Sequence, residues 1–414
     1  MTAVLHLIDK PFPPDIRLEK EARALAVAGY EVHVLCRRAA GAAGTGHDAQ
    51  RRGAAAACAG AFHLHELPAR RRAPLMGGRD LRYLVTFVDG AWLEEIERLA
   101  AALRPALLHV HDLPLAPTAL LAARRLSVPV VVDYRENWPA ALRVWRSASP
   151  GRGIARLRSR AVALVHECGP RYRRAEISVA RRAEQVLVVT EENRDRLIAA
   201  GVPAARVTVV RNAVDPAEIS GEAAGFEPPR SPFLIVYAGD LARFRGVQDV
   251  IAAMPEVLAH EPEAMFLVMG DGVARAELVA ESRRRGVEHA VRFTGWLPGG
   301  AVGAAMKAAA VGVVPHRRNE HTESTMPNKI YQYLWSGLPV VTSDAAPLAR
   351  VVLSAGCGLV ARSGDPESYA RVLVSLLDRE ERTRLAARAR EAARTWDDEA
   401  RTLLEIYRRL ARDV

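Results

Sequence analysis

At 414 residues, half of them hydrophobic, the chain is long enough for two buried cores rather than one. A net charge of +10 and a pI of about 9.8 point to acidic partners, yet aromatics make up only 6% with no basic patch interleaved by them, which argues against nucleic acid. Cys36, Cys58, Cys168 and Cys357 lie far apart with no CxxC pair, so neither a disulfide framework nor a cysteine zinc site is indicated.

The first apolar run, VLHLI at 4–8, reads as a strand and stops at Asp9 and Lys10, too short for a signal-peptide core or a membrane span. A cytoplasmic protein is expected. Ile16, Ala22, Leu25 and Ala26 then fall at helical spacing over 16–28, and Gly29 closes that helix. Strands are predicted at 31–36, 106–111, 128–134, 185–190 and 207–212, with an Ala/Gly/Arg-rich surface loop at 39–60. Between 143 and 182 eleven arginines stand against two acids, Glu167 and Glu176. That stretch is either a solvated helix face or a patch for anionic lipid or a phosphate-bearing acceptor, giving a peripheral position at the inner face of a membrane. Residues 213–232, rich in Pro, Gly and Ala, break the rhythm like a linker. A second series follows, with strands at 233–240, 265–271, 291–295, 311–315 and 338–343, and the last segment, TWDDEARTLLEIYRRL, is one amphipathic helix.

Short buried strands alternating with helices predict an α/β protein of two doubly wound parallel sheets, 1–213 and 214–395, facing each other across a cleft. Ligands bind beyond the carboxyl ends of such strands, so the loops there carry the candidates. In HTESTMPNKIYQYLWSGLPVVTSD (321–344), Ser324 or Thr325 caps a helix of about ten residues, Pro327 suits its first turn and Gly337 ends it. Its free N–H groups, with Asn328 and Lys329, form an anion site suited to phosphate; the plainer reading is a capped helix. Arg243 and Arg245 in GDLARFRG offer a second clamp on the same diphosphate. Gly239, Gly270 and Gly272 follow strands, where glycines are as often simple turns. His111 ends a strand in HVHDLP, and Asp133 and Glu136 in DYRENWP are candidate acids or hydroxyl acceptors, or else a helix cap and a salt bridge.

Taken in order, DIRLEKEARALAVAGYEVHVLC, HVHDLPLAPTALLAARRLSVPVVVDYRENWP, VLVVTEENRDRLIAAGVPAARVTVVRNAVD, YAGDLARFRGVQDVIAA, VMGDG, VRFTGWLP and MPNKIYQYLWSGLPVV resemble the retaining nucleotide-sugar glycosyltransferases of family 4. The resemblance covers nearly the whole chain. It implies the GT-B fold of two Rossmann-like domains, with the helix 396–414 bracing back onto the first. It implies a donor nucleotide-diphosphate sugar, no other cofactor, no metal, and a glycan, lipid-linked or secondary-metabolite acceptor. The family's diphosphate clamp, an arginine after the glycine and a lysine before the next, falls here on Asp240 and Arg245, with Met326, Pro327, Asn328 and Lys329 at the helix start. Its two glutamates eight positions apart fall on Ser324, beside Glu323, for the sugar, and on Gln332 for the ribose. His111 and Arg245 would then be the catalytic positions, and Asp15, Arg17 and Glu136 would line the acceptor side. The substitutions at Asp240, Ser324 and Gln332 also fit a non-catalytic GT-B protein that holds a nucleotide sugar or a partner. A sugar-nucleotide epimerase of the same architecture is a further alternative.

Overall fold

Runs of valine, leucine and isoleucine form strands buried along both faces, the pattern that parallel sheets require when helices cover each side. The computed structural model describes residues 1–13, 15–38, 60–67, 83, 86–148, 169–223 and 225–412. Nearly all of the expected loop at 39–60, half of the arginine-rich stretch 143–182, and Cys58 and Cys168 lie outside the described residues. The described chain divides into two units: 1–139, 169–211 and 397–412 in the first, 140–148 and 212–396 in the second. Residues 140–148, expected with the first domain, cluster with the second.

In the first unit the elements are β1 (Thr2–Ile8), α1 (Ile16–Val27), β2 (Tyr30–Arg37), β3 (His63–Leu67), α2 (Gly90–Leu103), β4 (Leu108–His111), α3 (Ala116–Leu126) and β5 (Val130–Tyr134). Helix α4 (Trp138–Ala148) spans the division. It is followed by α5 (Gly169–Ala180), β6 (Gln185–Val188), α6 (Glu191–Ala199) and β7 (Val207–Val209). The seven strands are parallel in the order β3-β2-β1-β4-β5-β6-β7. Asp15 caps α1 by accepting from the N–H of Leu18, and Gly29, at φ 90°, turns the chain out of it. Leu5, Leu7, Val110, Val132 and Trp92 lie at the centre of this core.

The second unit runs β8 (Leu234–Ala238), α7 (Val247–His260), β9 (Met265–Met269), α8 (Arg275–Arg284), β10 (Val291–Gly295), α9 (Gly299–Ala308), β11 (Val311–Val314) and α10 (Asn328–Trp335). It continues through β12 (Val340–Ser343), α11 (Ala346–Ala355), β13 (Gly358–Ala361), α12 (Pro366–Ser375) and α13 (Arg379–Ala392). The final helix α14 (Trp396–Arg412) returns all but its first residue to the first unit. Six parallel strands lie in the order β10-β9-β8-β11-β12-β13. Both sheets therefore reverse direction beside their first strand, at β1/β4 and at β8/β11. In an open sheet of this kind the crevice for ligands lies outside the carboxyl ends of those strands.

Three local expectations change. The stretch 213–232 is packed rather than a free linker. Residues Pro216–Ile219 form a 3₁₀ turn closed by an Asp215–Glu218 capping box, and the turn seats against α9. Side chains at Gly299 and Gly303 would collide with the carbonyls of Glu218 and Ile219, at 2.1 and 2.0 Å, so the small residues are what let two backbones meet. Helix α10 is eight residues long, and neither Ser324 nor Thr325 caps it. The chain is extended through Pro327, and the Ser324 hydroxyl instead donates to the carbonyl of Glu320 at 3.0 Å. Strands β3 and β13 were unforeseen because HLHEL is polar and partly exposed at a sheet edge and GLVA is four residues beginning with glycine.

Gly246 joins the turn at 243–245 to α7 with φ 73°, and a Cβ there would lie 1.7 Å from the carbonyl oxygen of Pro315. Gly246→Ala should lower stability by about 2 kcal/mol or more, because strain and collision act together. Urea unfolding should show a lower midpoint at unchanged slope, and an unchanged midpoint would contradict this packing.

Candidate functional site

In the second unit Lys329 sits in the first turn of α10 and reaches the end of β8. Its Nζ lies 3.6 Å from the centre of the Tyr237 ring, and a Cβ at Gly239 would stand 2.9 Å from it. Gly239 thus clears the path for the ammonium group. The side chain is buried, and among the described residues the ammonium makes no hydrogen bond or ion pair. Burial, then the charge of Arg245, push its pKa well below the ordinary lysine value, with Asp240 opposing. Arg245 stacks on Phe244 at 4.7 Å and points Nη1 at His316 Nε2, 3.3 Å away. Its Nε, 4.0 Å from the half-exposed carboxylate of Asp240, has no hydrogen-bond partner. His316 and His321 are held neutral, His316 by burial with Arg245 and Lys329 beside it, His321 down to about 3 by burial and Arg245. The Oδ1 of Asn328 is also buried without a partner. At the strand-order switch of this sheet, then, two cations and a helix N-terminus face one exposed carboxylate. Such an arrangement is short of negative charge.

The first unit is the opposite case. Arg17 of α1 forks onto Asp133 at the end of β5, with Nε to Oδ2 at 2.8 Å and Nη2 to Oδ1 at 3.1 Å, and Nη1 donates to the carbonyl of Val210 at 3.0 Å. Glu21, one turn on, lies 3.0 Å from the same Nε. Arg135 bridges Asp15 and Asp112, and Lys10 also pairs with Asp15. Burial works to raise both Asp15 and Asp133, but Arg135 and Lys10 hold the first, and Arg17 and His111 the second, well below the usual carboxylate range. Burial, with Asp133 nearby, pushes Glu21 the other way, up to about 8. His111 turns Nδ1 toward Asp133, 3.5 Å away, and Nε2 toward His6, 3.0 Å away. Burial keeps it neutral.

The structure therefore brings together Gly239, Asp240, Arg245, Asn328 and Lys329, and separately Asp15, Arg17, His111 and Asp133. Other expected residues are engaged elsewhere. Arg243 is exposed and paired with Glu277 at 2.7 Å. Glu323 accepts from Arg318 at 2.6 Å and from the N–H of Ala346 at 3.2 Å, while the Gln332 amide donates to Glu218 at 3.1 Å. Met326 is buried in the core, with its carbonyl accepting from Asn212. Gly270 and Gly272 are close-approach positions, where side chains would meet the carbonyls of Gly239 and Leu241 at 1.9 and 2.5 Å. Glu136 is half-buried beside Arg135. The sequence reading overlooked His316, Tyr237, Arg135, Glu21 and His6. Applying the strand-end rule to β11 as it was applied to β4 would have found His316.

Two Rossmann-like parallel-sheet domains of seven and six strands define the GT-B fold. Residues 15–213 match the glycosyl transferase 4-like domain and residues 232–379 the glycosyl transferases group 1 domain. With both halves matched in order, the chain belongs to the group 1 glycosyltransferases. It is 24% identical to the glycogen synthase of Mycobacterium tuberculosis over 309 residues, 73% of this chain and 69% of that protein. Sucrose-phosphate synthase of Thermosynechococcus elongatus has a TM-score of 0.70 at 16% identity, with both chains covered in full. Anabaena HepE, solved in complex with UDP-glucose, has a TM-score of 0.67 at 16% identity over 98% of this chain and 99% of that one. Likeness at this level speaks for the fold. Among the described residues no helix is long and apolar enough to cross a membrane.

Removing Arg17 would leave Asp133 and Glu21 buried without their cation, which should cost about 3–5 kcal/mol. The double variant Arg17→Met, Asp133→Asn should lose clearly less than the two single losses added together. Urea unfolding of all four proteins gives the coupling energy directly; a value near zero would mean the fork contributes nothing.

Proposed function

We propose that the protein transfers a sugar, with retention of configuration, from a nucleotide-diphosphate sugar to a glycan, lipid-linked or secondary-metabolite hydroxyl. The observation that carries this reading is the uncompensated pair Lys329 and Arg245 at the start of α10. A nucleoside diphosphate supplies the missing anion. As the bond from the anomeric carbon to the diphosphate breaks, its electron pair moves onto a β-phosphate oxygen. Lys329, Arg245 and the α10 N–H groups stabilise the charge where it develops. The acceptor hydroxyl attacks from the face the diphosphate leaves and passes its proton to that phosphate oxygen. These groups do the neutralising that the reading needs, with no metal assigned to the step.

Glu323, held by Arg318, accepts from a sugar hydroxyl near Ser324, and the Oε1 of Gln332 accepts from the ribose. In the first unit His111 has both ring nitrogens turned to protein groups, so its part is positioning rather than proton transfer. Asp15 and Arg17 likewise shape the acceptor side through Arg135 and Asp133, leaving Glu136 as the candidate for an acceptor hydroxyl. Arg173 and Arg174, exposed on α5 within the stretch 143–182, support a lipid-linked acceptor met at an anionic membrane. Vesicles rich in anionic lipid should then sediment the protein at low salt and neutral ones should not; equal sedimentation removes the membrane from the reading.

A thermal-shift screen with UDP, GDP, ADP, TDP and their sugar conjugates should show stabilisation of several degrees by one nucleotide class at saturation. Arg245→Ala should abolish it. Lys329→Met should abolish it too, yet raise the melting temperature of the unliganded protein. The sign follows from the lowered lysine pKa: the penalty for holding this ammonium is complete below the folded pKa and vanishes as pH rises through the unfolded one. A bound diphosphate restores the pKa, so binding should take up a proton, measured by calorimetry in buffers of different ionisation heat. No shift with any nucleotide would favour the non-catalytic binding protein.

A further inference from the structure

We infer that His6, His109, His111 and Glu21 bind one divalent transition-metal ion of the zinc class inside the first unit, where it fastens β1, β4 and α1 together. His109 and His111 point to one face of β4 because they are two residues apart, and the parallel register sets His6 opposite His109. Glu21 comes up from α1. One ligand atom from each of the four lies within 4.8 Å of the others, and all four side chains are buried. Nitrogen ligands about 2.1 Å from a tetrahedral zinc stand roughly 3.4 Å apart, so shifts of about 1 Å complete the shell.

The outer nitrogens carry the argument further. A metal-bound histidine characteristically gives its other N–H to an oxygen, which fixes the ring. Here the Tyr407 hydroxyl oxygen stands 2.6 Å from His109 Nδ1 and 3.1 Å from His6 Nε2, and Asp133 stands 3.5 Å from His111 Nδ1. The inner positions are then His6 Nδ1, His109 Nε2, His111 Nε2 and a Glu21 oxygen. A plain chain of hydrogen-bonded imidazoles accounts for His6 and His111, 3.0 Å apart, but leaves His109 Nε2 and both Glu21 oxygens buried without a hydrogen bond. The set needs no cysteine.

The test uses the full chain without a histidine tag, dialysed against a chelator and then titrated with Co²⁺ alone. The expected result is the visible spectrum of a four-coordinate cobalt ion, saturating at one equivalent per chain and displaced by Zn²⁺. Tyr407→Phe, which keeps the ring, should weaken binding about 10- to 100-fold, and His109→Gln should remove the spectrum, with circular dichroism confirming that each variant is folded. Binding is read without donor or acceptor, so this result is independent of the transferase reading. No spectrum and no stoichiometric binding, or a spectrum that persists unchanged in both variants, would leave the cluster as hydrogen-bonded histidines and overturn the inference.

Discussion

Everything functional in this chain depends on one topological constraint: strands that all run the same way must release the chain at the same edge of the sheet. Because the strand order reverses at β1/β4 and β8/β11, the loops leaving those strands diverge and leave room between them. The charged residues gather there. Ile8, His111 and Tyr134 end their strands in the first unit beside Asp9, Asp112 and Arg135, and Ala238 and Val314 end theirs in the second beside Gly239 and Pro315. Elsewhere along the strands valine and leucine predominate, with His6, His33, His109 and Gln185 among the buried exceptions.

What separates the two units is how they treat the charge so gathered. The first cancels it internally. Arg17 is forked onto Asp133, Arg135 lies between Asp15 and Asp112, and breaking such a buried pair costs several kcal/mol. The second leaves a surplus. Among the described residues Lys329 has the face of Tyr237, an attraction on the order of 1–2 kcal/mol, and the exposed carboxylate of Asp240 to offset its burial, less than a buried carboxylate would give. On the proposed reading, a site that holds an anion must keep that place open, since an internal carboxylate strong enough to stabilise the free protein would compete with the ligand.

The sequence made the architecture legible and the side-chain partnerships much less so. Eleven of the thirteen strand positions follow from runs such as VLHLI, VPVVVDY and FLIVYAGD, because burial on two faces leaves a local apolar signature. Lys329 and Arg245 stand out as candidates for a similar reason: each sits within a few residues of a strand end or a helix start. Arg243 has the expected loop position, but Glu277, thirty-four residues away, draws its guanidinium aside. Asp15 and Arg17 were placed at an entrance, whereas Asp133 and Arg135, more than a hundred residues on, bury them. No local pattern encodes a partner at that distance.

The greatest such separation closes the first unit. Tyr407 of α14 meets His109 across 298 residues and His6 across 401, and Glu399 accepts from the N–H of Arg211 at 2.8 Å. Leu403, Ile406 and Leu410 bury the same helix face. The amphipathic period of TLLEIYRRL announces that face, but nothing in it says which surface it covers. Because α14 supplies the oxygen that orients two of the histidines, the interior of the first unit is incomplete until the end of the chain is in place. The second unit, apart from 140–148, is contiguous over 212–396 and makes no such demand. The chain thus completes its anion-poor unit from neighbouring sequence, and its charge-balanced unit only by bringing both ends together.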